Sequence, residues 1–247
     1  LKSSRLGSRG ASSALYSLPW YVIVGPPGVG KSTALRNSGL KFPFSSNRGG
    51  VSVQGVGGTR NCEWWMTSEA VILDTAGRYT TEGGDREEWF AFLDLLRKYR
   101  TRRPINGVLA AVSIADIAEA HPEEVATLAR EIRARIDELQ DRLGVVVPVY
   151  LMFTKCDLLP GFVEMFADLS EAERHQIWGF TLKASDQLAL ADQCTEHFDE
   201  LTAMLEKRAL RRLAEERSQG RRDKIHEHPQ YIGALREPMA RFVHELT

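Results

Sequence analysis

WYVIVGPPGVGKSTALR, residues 20–36, is the stretch whose reading decides the fold. Trp20 to Val24 is a short apolar, β-branched run that stops at a glycine, and the residues after Lys31 are compatible with a helix. The segment therefore reads strand, glycine-rich turn, helix, the first half of a βαβ unit. Within it, Gly25-Pro26-Pro27-Gly28-Val29-Gly30-Lys31-Ser32 fits the phosphate-loop pattern G-x-x-x-x-G-K-[ST], and Thr33 closes the stretch expected to touch nucleotide. The glycines let successive backbone N–H groups turn inward around phosphates, and the start of the helix adds partial positive charge. Lys31 is expected to reach the β and γ phosphates, and the Ser32 hydroxyl to bind Mg²⁺.

Two further motifs lie downstream in the order a nucleotide site needs. Asp74-Thr75-Ala76-Gly77 ends the apolar run AVILD, which puts a carboxylate at the sheet edge where the phosphate loop also sits. Asp74 is expected to hold Mg²⁺ through a water and the Gly77 N–H to meet the γ-phosphate. Thr59, fifteen residues before Asp74 at the end of the glycine-dense loop Asn47–Arg60, stands where a switch threonine closes over Mg²⁺ when a γ-phosphate is present. Thr154-Lys155-Cys156-Asp157 follows the strand-like run VVVPVYLMF and is similar to the [NT]-K-x-D base motif of GTPases. An aspartate in that motif accepts two hydrogen bonds from guanine while the lysine stem lies along the base. An ordinary strand-end turn in an ATP-binding protein is the alternative.

Outward from these motifs the chain alternates apolar strands with helical runs. Asn61–Met66 and Ala70–Asp74 suit an antiparallel hairpin, Gly107–Ser113 and Val145–Thr154 read as further strands, and the run after His121 reads as a helix with Pro122 in its first turn. In EEWFAFLDLLRKYR, Trp89, Phe92, Leu93, Leu96 and Tyr99 share one helical face. The fold class is thus α/β, a GTPase-like, mostly parallel sheet flanked by helices. Strand signals end near Leu182, and charged helical runs, broken near Gly220, Pro229 and Pro238, continue to Thr247. The expected domains are a linker at 1–16, a nucleotide domain at 17–185 and a helical extension at 186–247. Lys207–Lys224 reads as a solvated helix face, and His226 and His228 as surface histidines.

The bulk properties narrow the function. A chain of 247 residues with 43% hydrophobic and 26% charged residues can build a core, and a net charge of -1 supplies no basic field for nucleic acid. Cys62, Cys156 and Cys194 lack the spacing of a disulfide framework or zinc ribbon, which reads as a reducing compartment. No apolar run approaches the roughly 18 to 20 residues of a membrane span. The opening Leu1 in place of Met reads as the start of a fragment.

The segments LPWYVIVGPPGVGKSTALRNSGLKFPF, GVGGTRNCEWW, AVILDTAGRYTT, KYRTRRPINGVL and VYLMFTKCDLLPGFVEMFADLSEAER, followed by IWGFT, resemble the TssM/IcmF-type inner-membrane subunit of bacterial type VI secretion systems. The resemblance covers most of Leu18–Thr181. It implies a domain on the cytoplasmic face of the bacterial inner membrane, between transmembrane helices that lie outside this fragment, with Lys2, Arg5 and Arg9 just inside the membrane. It also implies a TssL-type inner-membrane subunit and baseplate components as partners, and a GTPase-like or ATPase-like module with Mg²⁺ and GTP, or ATP, as ligands. Ras-like GTPases carry a water-orienting glutamine after their DTAG, whereas this chain has Arg78. Slow hydrolysis is therefore expected, either as a switch completed by a partner or as a docking scaffold with an idle site.

Overall fold

The computed structural model describes residues 16–42, 62–75, 77, 86–183 and 189–247. The loop Asn47–Arg60 with Thr59, the residue Arg78, and all of the 1–16 linker but Tyr16 lie outside the described residues.

Five strands form one sheet in the order β2-β3-β1-β4-β5, with β1 at Trp20–Val24, β2 at Cys62–Met66, β3 at Val71–Thr75, β4 at Gly107–Ser113 and β5 at Val149–Thr154. β1 lies between β3 and β4 and runs parallel to both, while β2 pairs antiparallel with β3. The sheet is therefore mixed, with the expected hairpin at its β2 edge. The β2–β3 turn is closed by Thr67, whose backbone N–H and side-chain hydroxyl both donate to the Ala70 carbonyl at 2.9 Å. β5 is shorter than expected: residues 145–148 carry no strand, and Pro148 contributes its carbonyl to the Val108 N–H at 3.0 Å.

The helices are α1 at Lys31–Arg36, α2 at Arg86–Tyr99, α3 at Ile114–Glu119, α4 at Pro122–Leu143, α5 at Phe162–Phe166, α6 at Glu171–Arg174, α7 at Leu190–Glu215, α8 at Gln219–Ala234 and α9 at Arg236–Leu246. α3 was not expected, although Ser113 announces it: its hydroxyl accepts from the Asp116 N–H at 3.2 Å, an N-cap. On α2, Trp89, Leu93 and Leu96 are buried, but Tyr99 is exposed. A 3.6-residue period drifts against a fixed stripe, so Arg100 takes the next inward position, its guanidinium 4.3 Å from the Trp20 ring centroid.

By contacts the chain divides into two compact units, residues 1–112 with 131–154, and residues 113–130 with 155–247. This division follows packing, whereas the boundary between 185 and 186 follows the disappearance of strand signals. In the first unit Ile23, Val29, Leu35, Trp65, Ile72 and Ala111 form a buried cluster. Because Trp65 pairs with Ile72 across β2 and β3, this cluster identifies the sheet face to which the glycine-rich loop and α1 belong.

In the second unit α7 packs against α8 and α9. Three expectations are corrected there. His228 is fully buried rather than on the surface: its Nδ1 donates to the Pro160 carbonyl at 2.8 Å, and Phe162 and Phe166 flank its ring. The run 207–224 is not one solvated face, since Arg212 is buried and its Nε lies 3.3 Å from Asp168. Pro229 lies inside α8 and Pro238 inside α9 instead of breaking them; one break falls at 216–218, near Gly220 as expected, and the other at Leu235.

Candidate functional site

β1 delivers the chain to Gly25, where a close approach decides the residue type. A Cβ on Gly25 would lie 2.3 Å from the Ala111 carbonyl oxygen of β4, and its φ of 148° is one that other residues rarely adopt. The loop then turns through Pro26, Pro27, Gly28, Val29 and Gly30 into α1. At six residues α1 is short, so its dipole contributes little, and the weight of anion binding falls on loop N–H groups and Lys31.

Lys31 is buried, and its ammonium donates to the carbonyls of Gly25 at 2.8 Å and Pro26 at 3.0 Å. Burial pushes its pKa down, and the nearby charge of Asp74 opposes that. The ammonium thus spans the backbone of the loop that it closes. An anion entering the loop can take over these hydrogen bonds without the cation moving to another element.

The β3 carboxylate comes to the same place. The Ser32 hydroxyl donates to Asp74 Oδ2 at 2.5 Å, while Asp74 Oδ1 is buried and has no hydrogen-bond partner among the described residues. Asp74 is fully buried, which raises its pKa to about 6. The Ser32 hydrogen bond and the Lys31 charge pull the other way, and Glu63 adds to the rise. A buried carboxylate oxygen with no donor is short of a hydrogen bond or a ligand to hold. Mg²⁺ fits that want, since it takes one or two carboxylates and completes its shell with water and phosphate oxygens.

Gly77 closes the constellation. A Cβ there would lie 2.4 Å from Pro27 N and 2.5 Å from Pro27 Cα, so the turn after β3 rests directly on the glycine-rich loop. Residues about fifty positions apart are brought together: Pro26, Pro27, Lys31 and Ser32 on one side, Asp74 and Gly77 on the other. Thr33 follows on α1, and Thr59 lies outside the described residues.

Thr154 joins the same unit in a way the sequence does not reveal. Its hydroxyl lies 2.6 Å from the Val29 carbonyl, to which it donates, and 3.1 Å from that of Val112, tying the end of β5 to the loop. Lys155 and Asp157 belong to the second unit. Lys155 has φ 58°, the one positive value for a non-glycine among the described residues, and a short 3-10 helix at Cys156–Leu158 follows. Its ammonium lies 4.0 Å from Asp116. A lysine held in the left-handed region carries backbone strain, a feature that clusters at ligand sites.

Comparison with known proteins decides the family. Residues 82–247 match the IcmF-related N-terminal domain family. The chain belongs to the IcmF-related family. A similar protein is the type VI secretion system component TssM1 of Pseudomonas aeruginosa, 49% identical over 251 residues. The similarity covers 98% of this chain and 23% of that relative, so the chain spans about a quarter of its length. No solved structure matches. The resemblance of the sequence to TssM/IcmF-type subunits is borne out. In this IcmF-related chain the glycine-rich loop and the Asp74 turn lie before the residues that the family match covers, and within the span shared with TssM1. Among the described residues, no helix is long and apolar enough to cross a membrane, and no three His, Cys, Asp or Glu side chains cluster to hold a metal.

Proposed function

We propose that this IcmF-related chain is a Mg²⁺-dependent nucleotide-binding domain of a type VI secretion membrane complex, reading GTP in preference to ATP and hydrolysing it slowly. The observation that carries this reading is the buried Asp74 carboxylate, with one oxygen held by Ser32 and the other lacking a partner, beside a loop of phosphate-binding pattern. Gly25 to Ser32, with Thr33, would cradle the phosphates, and Lys31 would exchange two backbone carbonyls for phosphate oxygens. Ser32 and Asp74 would hold Mg²⁺, with Thr59 as a further ligand. The ion would supply charge neutralisation at the phosphates. Gly77, with no side chain between itself and Pro27, would offer its N–H to a γ-phosphate. Thr154 would keep the loop in register through Val29, and Lys155 and Asp157 would recognise the base.

On this reading the domain works at the cytoplasmic face of the inner membrane, anchored through helices outside this chain, with a TssL-type subunit and baseplate components as partners. A docking scaffold is the second reading. It is favoured by the exposed stretch after α6, where Ile177 is 97% exposed and Trp178 and Phe180 are also accessible.

The test is base selectivity. GTP should compete for the site better than ATP, and Asp157→Asn should weaken GTP and improve xanthosine triphosphate, whose 2-oxo group accepts from the new amide. Equal affinity for GTP and ATP, unaltered in the variant, would replace the guanine reading with an ATP-binding domain.

A further inference from the structure

β2 is an edge strand, and its register against β3 sets Glu63 directly opposite Asp74. Directly paired residues of an antiparallel ladder point to the same face, with Cβ atoms about 4.5 to 5.5 Å apart. That face is fixed by their neighbours two positions away: Trp65 and Ile72 both belong to the cluster that holds Val29 of the loop and Leu35 of α1. Glu63 therefore faces the side of the sheet on which Ser32 holds Asp74. It is half-buried.

Like charges directly opposite each other destabilise a sheet, and a second carboxylate beside a fully buried one compounds the cost. Lys31 and Arg36 both place positive charge near Asp74. Neither occupies Asp74 Oδ1, which has no hydrogen-bond partner among the described residues. Asp74 Oδ1, on the face that Glu63 and Ser32 share, suits a hard divalent cation bound through few protein ligands, the remainder of its shell being water. Carboxylates one step outside a metal's ligands orient that shell and tune affinity.

We infer that Glu63 is a positioning residue of the Mg²⁺ site, accepting from the hydration shell of the ion that Asp74 and Ser32 hold. This rests on the nucleotide reading of the loop. Glu63 then sets how tightly the nucleotide complex retains its metal, and it does so from the strand that directly follows the segment carrying Thr59. The plain structural alternative is that an inward charge guards an edge strand against pairing with other chains. That role would affect association between chains and leave metal affinity unchanged.

The experiment is a Mn²⁺ titration, read by electron paramagnetic resonance, of the 247-residue chain with a fluorescent GDP analogue, for wild type and Glu63→Gln. Analogue binding in EDTA is measured alongside, and circular dichroism checks the fold. Glu63→Gln should weaken Mn²⁺ by about tenfold or more while leaving analogue affinity in EDTA within about twofold. Glu63→Asp, which keeps the charge on a shorter stem, should recover most of the loss and serves if the glutamine variant folds poorly. Unchanged Mn²⁺ affinity in Glu63→Gln, with wild type binding the analogue, overturns the inference alone. Failure of wild type to bind the analogue with or without metal overturns the nucleotide reading and the inference together.

Discussion

Replacing Asp74 by Asn should make the metal-free protein more stable at neutral pH. Burial raises the Asp74 carboxyl from the usual 3.8 to about 6. At about 1.4 kcal/mol per pKa unit, ionising it in the folded chain costs up to about 3 kcal/mol. The folded state binds this proton more tightly than the unfolded chain, so its stabilising contribution is complete below about pH 3.8 and is lost as pH rises through about 6. Asparagine has no proton to lose. Urea unfolding in EDTA, run from about pH 4 to pH 7.5, should therefore give a stability difference that grows in favour of Asp74→Asn by up to about 3 kcal/mol. Other titrating groups, the exposed carboxylates with lowered pKa among them, cancel in the difference. Adding Mg²⁺ and GTP should reverse the order, because wild type gains a ligand that the variant cannot hold. A stability difference that stays constant across this pH range, or an equal gain from Mg²⁺ and GTP in both proteins, would refute the reasoning.

Gly77→Ala places a Cβ 2.4 Å from Pro27 N, so either the glycine-rich loop or the turn after β3 must shift. A folded protein with nucleotide affinity reduced at least about tenfold is expected, read by fluorescence titration. His228 is buried with its Nδ1–H bonded to the Pro160 carbonyl and its Nε2 unpartnered among the described residues, and burial holds its pKa below the usual 6.5. The neutral ring's stabilising contribution is thus present above pH 6.5 and fades as pH falls through the lowered value. His228→Gln should cost about 1 kcal/mol or more at pH 7 by denaturant unfolding. Wild type should lose that advantage toward pH 5.

The loop, the order of its partner motifs and the β2–β3 hairpin are legible in the sequence because each depends on local conformation. A glycine at Gly25 or Gly30 and a carboxylate ending an apolar run announce themselves within a few residues. The links that make these motifs one site are not legible, since they depend on register and close approach. Nothing near Thr154 tells that its hydroxyl binds a carbonyl 125 positions earlier, and nothing near Glu63 tells that it faces Asp74. His228 and Arg212 lie in charged runs whose periodicity does not separate the buried face from the wet one. Their burial follows from how α7 and α8 meet the segment around Pro160 to Asp168. Tyr99 is exposed and Arg100 buried because a stripe read at fixed spacing drifts by the fourth turn. The Ser113 cap was readable from its three-residue spacing to Asp116.

The central claim is that the loop ending at Lys31 binds nucleotide phosphates, and calorimetric titration of GTP with Mg²⁺ into wild type and Lys31→Ala tests it most directly. Each charge-assisted hydrogen bond lost with the ammonium is worth about 1.5 to 3 kcal/mol. Wild type should bind saturably, and Lys31→Ala should bind at least about tenfold more weakly with an unchanged circular dichroism spectrum. Absence of binding by wild type, or equal affinity in a folded Lys31→Ala, would contradict the account.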